Sequence, residues 1–337
     1  MLYKPSYVVK KKQKGQFFTH PLIAQFVVRE ICDAIVSEYF WKPLLSLGDL
    51  VDFHLIEGLL NGILEQRFVD PAMGDGVFLI EVIRYFEEFL MRLWEFCDSS
   101  PYQEFFMIYF RQKLALNFSL IEKKDPLTMD IWKFHIIRTM AYGVDLDPKI
   151  VQKARNRIIQ LFNTPEITKI AKIAVQYNLK VGNSLISPIQ MVSKARNGLF
   201  SKYSSEITSL LSYRSQFCKI HWNKALKGDL LLREYEEIKN LVKNKILNEV
   251  ITQPFFSFLF DDTTNPDQVS FLWELEFPEV FFGEEYGFNA IIGNPPWDKW
   301  KLYDREWLGS TAIGKADYAQ KISIIQKNDD ESYSKYL

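Results

Sequence analysis

The sequence has little of what marks a secreted, metal-binding or membrane protein. Three cysteines and four histidines occur among 337 residues, scattered without the spacing of a metal site. No apolar run approaches the roughly 18 residues of a membrane span, and the lysine-rich first twenty residues lack the apolar core of a signal peptide. We therefore expect reduced cysteines, no bound metal and no membrane contact, in a cytoplasmic protein.

Neither sign of charge dominates the chain. Its 41 lysines and arginines and 42 acidic residues leave a formal net charge of −1. The overall charge therefore does not mark a nucleic-acid binder, and any contact with phosphates must come from local groups. Hydrophobic residues make up 47% of the chain, which at this length is enough for a substantial core in one large domain or two.

A glycine-containing loop follows the first predicted strand, without the third glycine of the dinucleotide-binding pattern. Residues 67–76 run from a short apolar strand into a polar break, and a helical pattern follows at once. Gly74 and Gly76 allow a tight turn and close approach to a ligand, an arrangement typical of nucleotide sites at the carboxyl end of a parallel strand. Asp70 and Asp75 would repel a pyrophosphate. They suit a cofactor with a cationic amino-acid head, which favours S-adenosylmethionine over NAD.

Two further strands are predicted downstream, each with a polar end. The strand beginning near residue 140 ends at Asp145, placed to accept hydrogen bonds from ribose hydroxyls. Asp147 is expected to cap the next helix, because Pro148 takes a first-turn position. The strand beginning near residue 179 ends in a loop where Asn183 would meet the adenine of the cofactor, with Leu185 against its face.

The amino-terminal part has a helical repeat of apolar residues over 22–39. Thr19 or His20 lies near the start of this helix, and Pro21 suits its first turn. Such a helix end has backbone donors for a carboxylate, although an ordinary helix cap explains it equally well.

An apolar run over residues 288–292 ends at Gly293 and is followed by Asn294-Pro295-Pro296-Trp297. The prolines remove two backbone donors, so the loop offers acceptors, namely the Asn294 side-chain oxygen and the Pro295 carbonyl. These acceptors suit the exocyclic amine of a nucleobase, on whose ring Trp297 could stack. A proline-stiffened turn without chemistry is the alternative.

Taken in order, the motifs resemble those of N6-adenine DNA methyltransferases of the gamma order, in the Eco57I-like branch of restriction–modification and related phage-defence systems. The matching segments are 15–19, 70–76, 145, 182–185, 273–281 and 294–297. Two positions depart from the family pattern, because Asn183 stands where Asp is frequent and His20 separates Thr19 from Pro21. The resemblance implies an α/β fold with a Rossmann-like class I S-adenosylmethionine-dependent methyltransferase sheet and long helical insertions. It also implies methyl transfer to an adenine flipped out of DNA.

The resemblance assigns roles to two sets of residues. The catalytic set is Asn294, Pro295, Pro296 and Trp297. The cofactor-binding set is Phe18, Thr19, Asp70, Pro71, Ala72, Gly74, Gly76, Asp145, Leu146, Asn183, Ser184 and Leu185. Rival interpretations are a protein-glutamine or RNA-guanine methyltransferase, and a noncatalytic cofactor-binding subunit or fragment of a defence complex.

Four regions are predicted. Residues 1–66 form a helical segment, 67–185 the cofactor-binding α/β core, 186–287 a mainly helical insertion, and 288–337 the catalytic strand, its loop and a terminal segment. We interpret 273–282, where carboxylates alternate with apolar residues, as a strand or edge support. The insertion contains interspersed basic and aromatic residues. They could follow a phosphate backbone, although a solvated helical face is the simpler interpretation. They are Lys194, Arg196, Tyr213, Phe217, Lys219, His221, Trp222, Lys224 and Lys227.

Four parallel strands are identifiable, ending near Asp70, Asp145, Gly182 and Gly293, whereas the family fold uses about seven strands and a separate target-recognition domain downstream. We therefore predict a fragment of a longer enzyme or one half of a split one. Its partners would be DNA and either a downstream target-recognition domain or a separate specificity subunit. Alone it would methylate slowly and without sequence choice.

Overall fold

Four short parallel strands form the sheet, which the computed structural model places in the order β3-β2-β1-β4. The strands are β1 (Phe68–Asp70), β2 (Ala141–Asp145), β3 (Leu179–Val181) and β4 (Ala290–Ile291). The structure describes residues 19–47, 52–98, 100–114, 120–121, 123–185, 200–251, 271–282 and 286–294. The α/β class and the four predicted strand positions are confirmed.

The strand register aligns the ends of the strands. Phe68 pairs with Ala141 on one side and Ala290 on the other, and Asp145 pairs with Val181. Because all four strands run in the same direction, the loops that follow them meet at one edge of the sheet. Every predicted cofactor-binding or catalytic residue after position 19 follows or ends one of these strands.

Four helical segments precede β1 in the described residues. They are α1 (Pro21–Val36), a π-helical turn (Ser37–Trp41), α2 (Lys42–Ser46) and α3 (Phe53–Leu64). His20 caps α1, its Nδ1 accepting from the Leu22 N–H at 3.3 Å, and Pro21 occupies the first turn as predicted. Cys32, on the buried face of α1, is fully buried and unbridged.

The connection from β1 to β2 contains α4 (Val77–Asp98), α5 (Gln103–Leu114) and α6 (Pro126–Thr139). The predicted helix after the glycine loop is therefore confirmed. It buries one apolar face, including Phe86 and Phe89, against the sheet and α1. Asp125 caps α6 by accepting from the Thr128 N–H at 2.9 Å.

The connection from β2 to β3 contains α7 (Pro148–Ile159) and α8 (Pro165–Asn178). Asp147 caps α7 as predicted, accepting from the Lys149 N–H at 2.8 Å. No element was predicted over α8, which runs directly into β3. Its last residue, the buried Asn178, donates to the carbonyl of Ala141 at 3.2 Å and so joins the helix end to β2.

Residues 200–251 contribute α9 (Ser204–Cys218) and α10 (Ala225–Ile251), which pack together. Lys239 on α10 donates to Glu276 at 2.8 Å. None of the described helices is both long and apolar enough to cross a membrane.

The prediction of a strand or edge support at 273–282 was wrong. The segment forms two one-turn helices, α11 (Trp273–Glu276) and α12 (Pro278–Phe281). An alternation of carboxylates with apolar groups resembles the period of a strand with one solvated face, but here the carboxylates of Glu274 and Glu276 are buried too. Glu276 is neutralised by Lys239, a partner that the local pattern does not reveal.

Candidate active site

The loop after β1 has the backbone geometry that requires glycine. Gly74 and Gly76 have φ angles of 56° and 80°, in the left-handed region where a side chain is strained. The Met73 N–H donates to the Val144 carbonyl at 3.0 Å, which ties the loop to β2. A Cβ on Gly76 would lie 3.2 Å from the Cβ of Ala154, so the glycine also permits close packing of α7. The tight turn predicted for these two glycines is confirmed.

Asp70, the last residue of β1, is a buried carboxylate with an unsatisfied oxygen. Its side chain is 1% exposed, and Oδ1 accepts from the Ala72 N–H at 3.1 Å. Oδ2 has no hydrogen-bond partner among the described residues. Burial, with a smaller contribution from the charge of Asp145, raises the pKa of Asp70 to about 7. Asp70 therefore provides an acceptor that lacks a donor.

Asp145, the last residue of β2, joins two of the loops. Its Oδ2 accepts from the Gly74 N–H at 2.9 Å and its Oδ1 from the Asp147 N–H at 3.0 Å. Burial raises its pKa above the ordinary value, although these backbone donors oppose the shift. Each carboxylate oxygen has a second lone pair, so Asp145 retains capacity for ligand hydroxyls.

The second acid of the glycine loop does not share this environment. Asp75 accepts from Lys153 Nζ at 2.8 Å and from an Arg157 Nη1 at 2.7 Å, both on α7. Its charge is therefore neutralised by cations of the protein itself. The interpretation that both loop acids face a cationic ligand is therefore wrong for Asp75, which is paired with α7, and stays a prediction for Asp70.

The loop after β4 lies beside the loop after β1. Asn294 Nδ2 donates to Thr19 Oγ1 at 3.1 Å, across 275 positions of sequence. Thr19, Asp70, Gly74 and Asn294 line one small cleft. Thus a predicted catalytic residue and three predicted cofactor-binding residues are close together.

Gly293 is a site residue for which the sequence analysis gave no role. A Cβ at this position would lie 2.8 Å from Asp70 Oδ1, closer than side chains tolerate, so glycine allows the two loops to approach. The sequence signal was its place directly before Asn294.

The remaining predicted residues lie along the same edge of the sheet. Leu146 and Leu185 are 61% and 77% exposed, which leaves two apolar side chains uncovered after β2 and β3. Asn183 Oδ1 accepts from the Leu185 N–H at 3.1 Å, and the Ser184 carbonyl accepts from Trp273 Nε1 at 3.1 Å. Pro71 and Ala72 form the turn after Asp70. Phe18, Pro295, Pro296 and Trp297 lie outside the described residues.

No cluster of three metal-ligating side chains occurs among the described residues. What the site offers a ligand is instead carboxylate and amide acceptors with exposed apolar side chains.

A model of the Eco57I restriction-modification methylase family matches residues 139–335, more than half of the chain. The chain belongs to the Eco57I restriction-modification methylase family. The resemblance to the Eco57I-like branch, inferred from the motifs, is thereby confirmed.

One curated relative of this Eco57I-family chain is a much longer protein. It is the "Putative type II restriction enzyme and methyltransferase RM.MjaORFECS2P" of Methanocaldococcus jannaschii, which is 21% identical over 370 aligned positions. The match covers 86% of this chain and 28% of the relative, so the chain spans less than a third of that protein's length. No solved structure matches the chain.

Proposed function

We propose that this chain transfers a methyl group from S-adenosylmethionine to the N6 amine of adenine in DNA, as the modification part of a restriction–modification or related defence system in the cytoplasm. The observation that carries the proposal is the hydrogen bond between Asn294 and Thr19 beside Asp70. It brings the candidate catalytic amide to the candidate cofactor loop. The strand order, the same as that of the first four strands of a doubly wound sheet, supports a Rossmann-like class I methyltransferase fold.

The residues at the carboxyl edge fit the proposed cofactor. The unsatisfied Oδ2 of Asp70 suits the ammonium group of a methionine head, and the remaining lone pairs of Asp145 suit ribose hydroxyls. Leu146 and Leu185 offer apolar surface to a purine ring, beside the amide of Asn183. When bound, the cofactor supplies a methyl group activated by its attachment to a positively charged sulfur.

In this proposal the loop after β4 orients the target amine. The Asn294 side-chain oxygen and the Pro295 carbonyl accept its protons and direct its lone pair, while Trp297 stacks on the extruded base. No prior proton removal is needed, because the amine attacks while still protonated and loses a proton afterwards. Alignment and oriented acceptors therefore supply most of the acceleration. Sequence choice is assigned to a separate target-recognition domain or subunit.

Two substitutions separate binding from transfer in an assay with labelled cofactor and adenine-containing duplex DNA. Asn294→Ala should lower transfer by at least about 10²-fold and leave the cofactor dissociation constant unchanged. Asp145→Ala should weaken cofactor binding by roughly 1.5–3 kcal/mol, because a charged acceptor is lost. Asp75→Asn is the matched control, since its carboxylate faces α7, and should leave cofactor affinity unchanged.

The acceptor in the same assay tests the substrate. DNA in which every adenine already carries an N6-methyl group should accept no label. Transfer to protein glutamine or RNA guanine instead would replace the proposed substrate, and cofactor binding without transfer to any acceptor would indicate a noncatalytic subunit. Loss of cofactor binding in Asn294→Ala would contradict the role assigned to Asn294.

A further inference from the structure

A second cleft, much larger than the first, opens at the amino ends of β1 and β2. Its volume is about 880 Å³, within the usual range of small-molecule sites. Arg67, which precedes β1, and Thr139, which precedes β2, line it together with residues of α5, α6 and α9. The proposed methyl transfer uses the opposite edge of the sheet, so it gives this cleft no role.

The inner wall of the cleft contains a buried cation, Arg138, that forms no ion pair with the part of the chain that the structure describes. Arg138 is 9% exposed, its Nη1 donates to the Ile220 carbonyl at 2.8 Å, and its Nε has no hydrogen-bond partner among those residues. Burial lowers the pKa of this guanidinium. The adjacent His135 adds no charge, because burial and Arg138 lower its pKa to about 3. A desolvated cation of this kind is costly unless an anion accompanies it.

Further cations line the cleft in excess of carboxylates. Arg67 is half-buried and Lys219 exposed, and neither forms an ion pair with the described residues. Of the lining acids, Glu279 is neutralised by the buried Arg214, and Glu65 is exposed at the rim. The unbalanced charge inside the cleft is therefore positive and favours an anionic ligand.

Aromatic rings also line the cleft. The rings of His221 and Trp222 lie 5.2 Å apart at an interplanar angle of 34°, and Tyr109 and Phe282 also line the space. Flat rings of this kind stack on nucleobases without needing base-specific hydrogen bonds. The mixture of basic and aromatic residues around position 220 thus lines a defined cleft.

We propose that this cleft binds a nucleotide, with its phosphates between Arg138 and Arg67 and its base against Trp222. Phosphate is the anion that a guanidinium recognises best, through paired hydrogen bonds. Arg138 lines the cleft but is only 9% exposed, which favours the phosphates of a small molecule over the wide backbone of a DNA duplex. The inference concerns a site separate from the proposed methyl transfer and does not depend on it.

Calorimetry on the full chain tests the proposal with ADP, and with adenosine and inorganic phosphate as its separate parts. ADP should bind, and each part alone should bind at least about tenfold more weakly, because it engages half of the site. Saturating S-adenosylmethionine should leave the ADP dissociation constant unchanged, since the two sites lie at opposite ends of β1.

Substitutions at the cleft make the test specific. Arg67→Gln and Lys219→Gln should each weaken ADP binding about tenfold or more. Lys172→Gln, at an exposed lysine of α8 that does not line the cleft, should leave it unchanged. Arg138→Gln should abolish ADP binding. If that variant fails to fold, the variants at the more exposed Arg67 and Lys219 still test the site.

Several results would overturn the proposal. ADP would give no binding heat, or phosphate alone would bind as tightly as ADP. Lys172→Gln would weaken ADP binding as much as the cleft substitutions do, or S-adenosylmethionine would compete with ADP. Weaker binding of duplex DNA in Arg67→Gln without any binding of ADP would assign the cleft to nucleic acid instead. A chain that binds ADP but transfers no methyl group would keep this inference and reject the proposed function.

Discussion

The two ends of the sheet carry opposite charges. At the carboxyl end, the buried Asp70 and the half-buried Asp145 accept from backbone N–H donors of the loops. At the amino end, Arg138 and Arg214 are buried among carbonyl, amide and carboxylate oxygens. In a parallel sheet, all loops that follow the strands lie at the carboxyl edge. Their backbone N–H donors therefore collect at that edge and stabilise the acids there. Each edge therefore favours a ligand of a different charge.

The difference between satisfied and unsatisfied groups matters at both ends. Within the described ranges, Arg214 has a carboxylate partner in Glu279 and Arg138 has none, just as Asp75 has cationic partners and Asp70 has none. A charge with a partner holds neighbouring elements together, whereas a buried charge without one is costly in the folded protein. We expect the former to act in stability and the latter in ligand binding.

The largest expected effect on stability comes from breaking the ion pair between Arg214 and Glu279, and Arg138, which has no such pair, is the comparison. Arg214→Met should lower the free energy of unfolding by about 3–5 kcal/mol, because it leaves Glu279 unpaired in a partly buried position. Arg138→Met removes a cation without a carboxylate partner, leaves the Ile220 carbonyl without its donor, and should cost less, about 1–2 kcal/mol. Urea unfolding monitored by circular dichroism measures both values. Equal losses would show that Arg138 also has a stabilising anionic partner.

The pH dependence of stability tests the acid at the other end. The pKa of Asp70 is raised from 3.8 to about 7 in the folded chain. The folded protein therefore holds this proton more tightly than the unfolded chain, and the contribution of Asp70 to stability should fall as the pH rises from about 4 to about 7. Asp70→Asn should be more stable than the wild type by roughly 2–4 kcal/mol above pH 7, and nearly equal to it below pH 4.

Unfolding measured across this pH range, with Asp75→Asn as the control, reports the difference. Asp75 forms ion pairs with Lys153 and Arg157, so removing its carboxylate should slightly destabilise the protein, by about 1 kcal/mol. If Asp70→Asn shows no gain above pH 7, then the carboxylate of Asp70 has a donor in the folded chain.

After the Arg214 and Asp70 substitutions, the smallest expected loss of stability concerns the contact between the two loops of the carboxyl edge. Gly293→Ala places a Cβ 2.8 Å from Asp70 Oδ1 and should cost about 1–3 kcal/mol through displacement of one loop. Asp70→Ala in the same chain should restore part of that loss, because it removes the obstructing carboxylate. A double-mutant cycle measures the coupling, and strictly additive losses would mean that the loops do not touch here.

Local sequence determined the strands, the glycine turns and the helix caps of this protein. Asp147 and Pro148 mark the start of α7, and Gly74 and Gly76 occupy left-handed positions, because each depends on the backbone conformation of neighbouring residues. The carboxyl-edge grouping of Asp70 and Asp145 also followed, since parallel strands leave little choice about where their ends meet.

Tertiary structure alone decided which side chains find partners. The segment at 273–282, expected as a strand, forms two short helices in which Glu276 is paired with Lys239, and Asp75 is paired with Arg157 of α7. The Asn294–Thr19 bond and the arginine-lined cleft join residues far apart in the chain, without any local signal. A sequence pattern specifies the backbone nearby, whereas the charge of a buried site is settled by groups that only folding brings together.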